Sequence, residues 1–212
     1  GSHKSIEEGR AIITFYGNFP YVEIEGTPFE IGFQHGELFK DKILNSIQCY
    51  KEMFMDYSNL EWSRAKKLST RFVEVIRDYN PDYLEEIRGV AEGSGLDFED
   101  ILALNCRSEL VFVGNELDKA DGGCTSIGIS SDAGAGGDPF LAHNWDWKTS
   151  QRESMIMMKI TQKNGRPTIF MVTEAGIIGK TGFNSAGVGL YLNALSTDQA
   201  PKGLPLHMAM RG

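Results

Sequence analysis

Cysteine is scarce. Cys49, Cys106 and Cys124 are the only three in 212 residues, odd in number and far apart, which excludes a disulfide framework and any cysteine metal-ligand spacing. No apolar run approaches the roughly 20 residues that a membrane-spanning helix requires. Positive charge is also short: 21 Lys and Arg against 29 Asp and Glu leave a net charge of −8, which argues against a nucleic-acid backbone or an anionic membrane as partner. Glycine-rich stretches occur, but none has P-loop or dinucleotide-fold spacing, and there is no internal repeat or low-complexity segment. No signal-peptide pattern opens the chain, and Gly1-Ser-His3 reads as a tag remnant. These absences leave a globular protein of one domain, or at most two, in a reducing, cytoplasmic-type compartment where a thiol survives. No motif calls for a metal or an organic cofactor.

What is present centres on Asp121-Gly-Gly-Cys-Thr-Ser126. Helix-patterned sequence leads into it and strand-patterned sequence leaves it. A cysteine that becomes an N-terminal residue can use its own α-amino group as general base, with a reference pKa of about 7.7–8.0, and needs no histidine. Exposing that amine requires cutting the Gly123–Cys124 bond, and the preceding glycines accept backbone conformations that strain other residues. Taken alone, Gly-Gly-Cys equally describes a loop ending in a buried structural cysteine.

The residues that follow predict a hairpin. Cys124 to Ser130 alternates like a strand, Ser131 to Asp138 is a turn cluster, and Pro139 to Trp147 reads as a second strand. Folded about its centre, the hairpin brings Cys124 opposite the Asn144–Asp146 segment. With Asp146 beside Cys124, Asn144 shares that face, while His143, Trp145 and Trp147 turn to the other. Sequence does not fix the register to one residue. Ser126 lies two residues past the cysteine, on its face, as a possible aid to self-cleavage or a plain strand serine.

Elsewhere, strands are predicted near Ala11–Tyr16, Tyr21–Glu25, Ser154–Thr161, Thr168–Thr173 and Val188–Asn193. Thr27-Pro-Phe-Glu30 has the capping-box pattern and opens a long helix to about Tyr57, with Gly32 and Gly36 marking close packing. Further helices cover Leu60–Tyr79, Asn80 to Gly95, and a run capped by Asp97 that extends toward Leu117. Pro205–Arg211 starts another.

Gly-Cys-Thr followed about twenty residues later by Asn-Trp-Asp resembles the cysteine N-terminal-nucleophile hydrolases. Within them the chain is similar to the isopenicillin-N acyltransferase (acyl-CoA:6-aminopenicillanate acyltransferase) family, peptidase family C45. The resemblance runs over about residues 21–211 and includes Glu25–Gly36, Tyr83–Gly93, Leu104–Glu109, Thr173–Gly187 and Tyr191–Leu195. It implies an α+β fold of the four-layer αββα sandwich type, with a helical pro-segment over 21–123 and the start of a nucleophile-bearing sheet subunit over 124–212, after an extension over 1–20. The family is longer, so the resemblance also implies that the chain stops short. It implies autoproteolysis at Gly123–Cys124, Cys124 as nucleophile, Asp146 as a substrate-contacting carboxylate and Asn193 as an oxyanion donor. Asn144 and Trp147 join the expected substrate site. The expected partners are a small amide or acyl-CoA-type substrate and the chain's own C-terminal segment or second subunit.

Two other classes remain open. A cysteine–histidine thiol hydrolase without processing would use His143 or His207. A truncated or unprocessed, non-catalytic precursor would serve only to associate with its remaining segment. His35, Cys49 and Cys106 read as packed side chains, the Met155, Met157, Met158 group as sheet packing, and Arg107 and Glu109 as support near the cut.

Overall fold

The computed structural model describes residues 5–8, 11–112, 123–193 and 203–212. Asp121, Gly122, the expected helical extension to Leu117 and the end of the Tyr191–Leu195 segment lie outside the described residues. The chain opens with an antiparallel meander of β1 (Ser5–Glu8), β2 (Ala11–Tyr16) and β3 (Phe19–Gly26). Along β3 the burial alternates, with Val22 and Ile24 inward, as a strand with one solvated face requires.

The capping box forms as its pattern predicts. Thr27 Oγ1 accepts the Glu30 amide at 3.3 Å, and Glu30 Oε2 accepts the Thr27 amide at 2.9 Å. The helix it opens, α1 (Pro28–Leu38), does not run to Tyr57: the backbone breaks at buried Phe39 and resumes as α2 (Lys40–Ser58). The break lets α1 pack on β3 and on α5 (Asp82–Ser94), while α2 turns toward β7 (Ile169–Glu174), α6 (Phe98–Asn105) and α7 (Arg107–Phe112). Likewise the expected Leu60–Tyr79 helix divides into α3 (Trp62–Ser69) and α4 (Val73–Tyr79) around a 3-10 turn.

Gly32 and Gly36 mark a close helix crossing. A Cβ on Gly32 would lie 2.0 Å from the Glu86 carbonyl oxygen, and one on Gly36 would lie 2.2 Å from that of Val90. The fit is reciprocal, because a Cβ on Gly89 or Gly93 of α5 would strike the Phe29 or Phe33 carbonyl at 2.2 and 2.1 Å. Gly95, with φ 68°, ends α5 in the left-handed conformation that glycine adopts without strain. Asp97 occupies the cap position of α6, but its carboxylate binds Lys66 at 2.9 Å.

Next come β4 (Cys124–Ile129) and β5 (Phe140–Trp145), which form a separate two-stranded hairpin. The chain then re-enters the large sheet through β6 (Met155–Gln162), followed by β7, β8 (Thr181–Asn184) and β9 (Gly189–Leu190). The strand order is β1-β2-β3-β6-β7-β8-β9, with β3 and β6 parallel and the other pairs antiparallel. A parallel neighbour needs a long crossover, and the whole helical segment together with the hairpin supplies it. Ile156, Met158 and Ile160 of β6 join Val22, Ile24 and the helices in one core, giving an α+β fold. The last helix, α8 (Leu206–Arg211), is tied to α5 by a buried Arg211–Glu86 ion pair at 2.9 Å. Among the described residues no helix is long and apolar enough to cross a membrane.

Candidate active site

The hairpin exists as predicted, but its register differs by one residue. Cys124 pairs with Trp145, Thr125 with Asn144 and Ser126 with His143. Residues 130–139 connect the strands, and an even-numbered connection pairs an even position with an odd one, which no composition signal reveals. Cys124, Ser126, His143 and Trp145 therefore share a face, and Asn144 lies on the other. The expectation that His143 is turned away from Cys124 is corrected: it sits two pairs along from the cysteine on the same face, its ring stacked on Tyr191 at 5.3 Å. Asp146 lies beyond the end of β5, opposite Gly123 instead of Cys124.

That placement puts Asp146 at the peptide bond in question. Its backbone amide donates to the Gly123 carbonyl oxygen at 2.8 Å. Its Oδ2 lies 3.8 Å from where a Cβ on Gly123 would stand. Gly123 itself does not take a left-handed φ, so glycine is not conformationally required there. Cys124 is half-buried with a free thiol, while Asp146, Asn144 and Asn193 are exposed to solvent. Asn193 donates its Nδ2 to the Cys124 carbonyl oxygen at 2.8 Å and accepts from the Ser126 hydroxyl. It thus clamps β4 from the segment after β9, and its donor is directed at the carbonyl following the thiol rather than the one preceding it.

Beneath Trp145 and Trp147 lies a buried charge cluster that the sequence reading missed. Glu174, at the end of β7 and fully buried, accepts from Arg107 at 3.1 Å, from Lys180 at 2.5 Å and from the Tyr50 hydroxyl. Burial pushes the Glu174 carboxyl up, but Arg107 and Lys180 outweigh it and hold the group down at about 2. Burial pulls the Lys180 ammonium down to about 7; Glu174 opposes that shift and Arg107 adds to it. Arg107 also stacks on the rings of Tyr50 and Trp147, at 4.9 and 5.5 Å. Lys180 Nζ lies 3.2 Å from the ring centroid of Trp145, the residue paired with Cys124. Arg107, expected to support the region near the cut, is placed in this cluster. A signal for the rest existed: Glu174 and Lys180 are the only charges in the apolar, glycine-rich run Thr173–Gly187, and charges in a buried run must be paired.

A groove of about 340 Å³ opens beside the same tryptophans. Trp145, Trp147, Ile156, Met157 and Val172 give it an apolar wall, and Lys148 and Arg152 stand at it as cations. Among the described residues no group of three or more His, Cys, Asp or Glu side chains is arranged to hold a metal ion.

A model of the acyl-coenzyme A:6-aminopenicillanic acid acyl-transferase family matches residues 133–212. Acyl-coenzyme A:6-aminopenicillanic-acid-acyltransferase 40 kDa form from Emericella nidulans is 38% identical over 192 residues, covering 90% of this chain and 52% of its own. Beta-alanyl-dopamine/carcinine hydrolase from Drosophila melanogaster is 28% identical over 87 residues, covering 41% of this chain and 22% of its own. The chain thus spans about half the length of the first relative and less of the second. The family match lies over the hairpin turn and the later strands, and the Emericella protein aligns along nearly the whole chain, so the chain is similar to the acyl-coenzyme A:6-aminopenicillanic acid acyl-transferase family.

Proposed function

We propose that this chain carries a self-processing cysteine nucleophile that cleaves amides or transfers acyl groups through a thioester on Cys124. The observation that carries the reading is the hydrogen bond from the Asp146 amide to the Gly123 carbonyl, at the bond immediately before a half-buried free cysteine. A donor already aimed at a carbonyl oxygen stabilises the oxyanion that forms when a nucleophile adds to that carbon. The Cys124 thiol adds to the Gly123 carbonyl carbon, the Gly123–Cys124 amide breaks, and water hydrolyses the resulting thioester. The two segments, ending at Gly123 and beginning at Cys124, then remain one folded unit, and the full fold is the four-layer sandwich of the N-terminal-nucleophile hydrolases.

Once free, the α-amine of Cys124 has a pKa near working pH and takes the thiol proton during attack on substrate. The vacated position of the Gly123 carbonyl becomes the place for the substrate carbonyl, within reach of the same Asp146 amide. The Asp146 carboxylate, exposed beside it, binds the amine of the substrate or the new ammonium group. The groove under Trp145 and Trp147 takes the apolar part of the acyl chain. Relatives named for acyl-coenzyme A transfer and for hydrolysis of β-alanyl amides support an acyl thioester or an amide as substrate. The remaining length of such relatives supports a C-terminal partner segment that completes the site.

A second reading, a cysteine–histidine thiol hydrolase without processing, gains from the register, because His143 shares a face with Cys124. The two are separated by incubating the protein with an acyl thioester, isolating the labelled peptide by mass spectrometry, and comparing His143→Ala with the parent. The processing account expects the acyl group on a peptide that begins at Cys124, and unchanged labelling in His143→Ala. Labelling on an uncut chain that vanishes in His143→Ala would favour the dyad.

A further inference from the structure

Self-cleavage poses a proton problem that the mature enzyme does not have. Before the cut, the Cys124 nitrogen is an amide, carries no basic lone pair, and cannot take the thiol proton. Some other group must accept it.

We propose that Lys180 is the proton acceptor for the Cys124 thiol during cleavage of the Gly123–Cys124 bond. Three observations converge on it. Its Nζ lies 3.2 Å from the ring centroid of Trp145, and Trp145 is the cross-strand partner of Cys124. Its side chain is only 7% exposed, so the amine is shielded from bulk water and fixed in place by Glu174 at 2.5 Å. Cys124 is among the groups whose charge acts on it. Burial also lowers the Lys180 ammonium to about 7, so a sizeable neutral fraction exists at working pH, as a general base requires. His143, the alternative on that face, lies opposite Ser126 and is stacked on Tyr191.

The step balances without an added reagent other than water. The Cys124 Sγ proton passes to neutral Lys180 Nζ, and the thiolate adds to the Gly123 carbonyl carbon. The oxyanion receives the Asp146 N–H. On collapse, the bond between the Gly123 carbonyl carbon and the Cys124 nitrogen breaks, and that nitrogen takes the proton back from Lys180. Water then divides across the thioester, leaving a carboxyl on Gly123 and restoring the thiol. The charged and titratable groups facing Lys180 are Glu174 from β7, Arg107 from α7, His207 from α8 and Cys124 from β4, with Tyr50 of α2 reaching it through Glu174.

The inference rests on the processing reading, and its test separates the two. Full-length protein is produced as parent, Cys124→Ala, Lys180→Arg and Lys180→Ala, and cleavage is followed by intact mass over time from pH 6 to 9. Arginine keeps the cation that Glu174 pairs with but does not lose its proton in this range. The expected result is cleavage slowed by about 100-fold or more in Lys180→Arg, the scale of a lost general base. Ethylamine added to Lys180→Ala is expected to restore cleavage in proportion to its concentration. In the parent the rate rises through neutral pH and levels off; in Lys180→Arg that inflection disappears. If Lys180→Arg matches the parent in rate and pH profile while Cys124→Ala stays intact, the Lys180 assignment fails and the processing reading stands. If the parent is never cut at Gly123–Cys124, both fail. Should the Lys180 variants not fold, a parent profile with no inflection below pH 8 overturns the assignment and an inflection near neutrality supports it.

Discussion

The Asp146 backbone amide and the Gly123 carbonyl oxygen meet at 2.8 Å across the open end of the β4–β5 hairpin. The contact joins the residue before the candidate nucleophile to the first residue after β5. It uses main-chain atoms on both sides, so the hairpin register alone sets it, and side-chain substitutions at either position separate geometry from chemistry.

Asp146→Asn keeps the amide donor and removes the carboxylate charge. Cleavage at Gly123–Cys124 is expected to proceed within a few-fold of the parent, while turnover of amine-bearing substrates falls. Asp146→Pro removes the N–H itself. Cleavage is then expected to slow by about 10²–10³-fold, the loss typical of one oxyanion donor, in a chain whose circular dichroism is unchanged. Gly123→Ala is expected to cleave close to normally, because the position has no left-handed φ and, among the described residues, an added Cβ meets nothing closer than 3.8 Å.

The Glu174 carboxylate stands between two buried cations, Arg107 and Lys180. Glu174→Ala leaves both without their counter-ion, and a broken buried pair costs about 3–5 kcal/mol. Urea unfolding is expected to show a midpoint well below the parent's. An unchanged midpoint would mean that the cluster relaxes to solvent.

Two buried histidines set the acid side of stability. Burial lowers His35 to about 4 and His207 to about 3, and both stay neutral in the folded chain. His35 Nε2 accepts the Gly176 amide at 3.0 Å, and His207 Nδ1 meets the Gly179 carbonyl at 2.7 Å. An unfolded histidine titrates near 6.5, so between about pH 6.5 and 4 the unfolded chain binds protons that the folded chain refuses. Stability therefore falls as pH falls through that window, by about 1.4 kcal/mol per pH unit for each histidine. Below about pH 4.5 the depressed Glu174 carboxyl adds a further loss as pH falls toward 2. Thermal unfolding measured from pH 7.5 to 4.5 checks the first slope.

The crossing of α1 and α5 has no room for a methyl group. Gly32→Ala drives its Cβ to 2.0 Å from the Glu86 carbonyl oxygen, a backbone atom that cannot swing away. Separating the helices is expected to cost about 1–3 kcal/mol, visible as a lowered melting temperature.

Local features were legible in the sequence where a short pattern determines them. The Thr27–Glu30 capping box, the Gly95 helix end, the Ser154–Thr161 strand and the paired strands around Ser131–Asp138 depend on neighbours within a few residues. The break at Phe39 was not legible, because it follows from which elements α1 and α2 pack against. The hairpin register was missed because the parity of a ten-position connection, residues 130–139, carries no composition signal. That one-residue difference moved His143 onto the face of Cys124 and set Asp146 beside Gly123. The Tyr50–Arg107–Glu174–Lys180 cluster draws its residues from three separate segments, so only the folded chain assembles it, although the two charges in the Thr173–Gly187 run were its trace.

The central claim is that Cys124 cuts the bond before it. The most direct test is intact-mass spectrometry of the purified full-length protein beside its Cys124→Ala variant. The account predicts two polypeptides from the parent, the second beginning at Cys124, and one uncut polypeptide from the variant. A parent chain that stays whole and still turns over substrate, or a Cys124→Ala chain cut at the same bond, would contradict it.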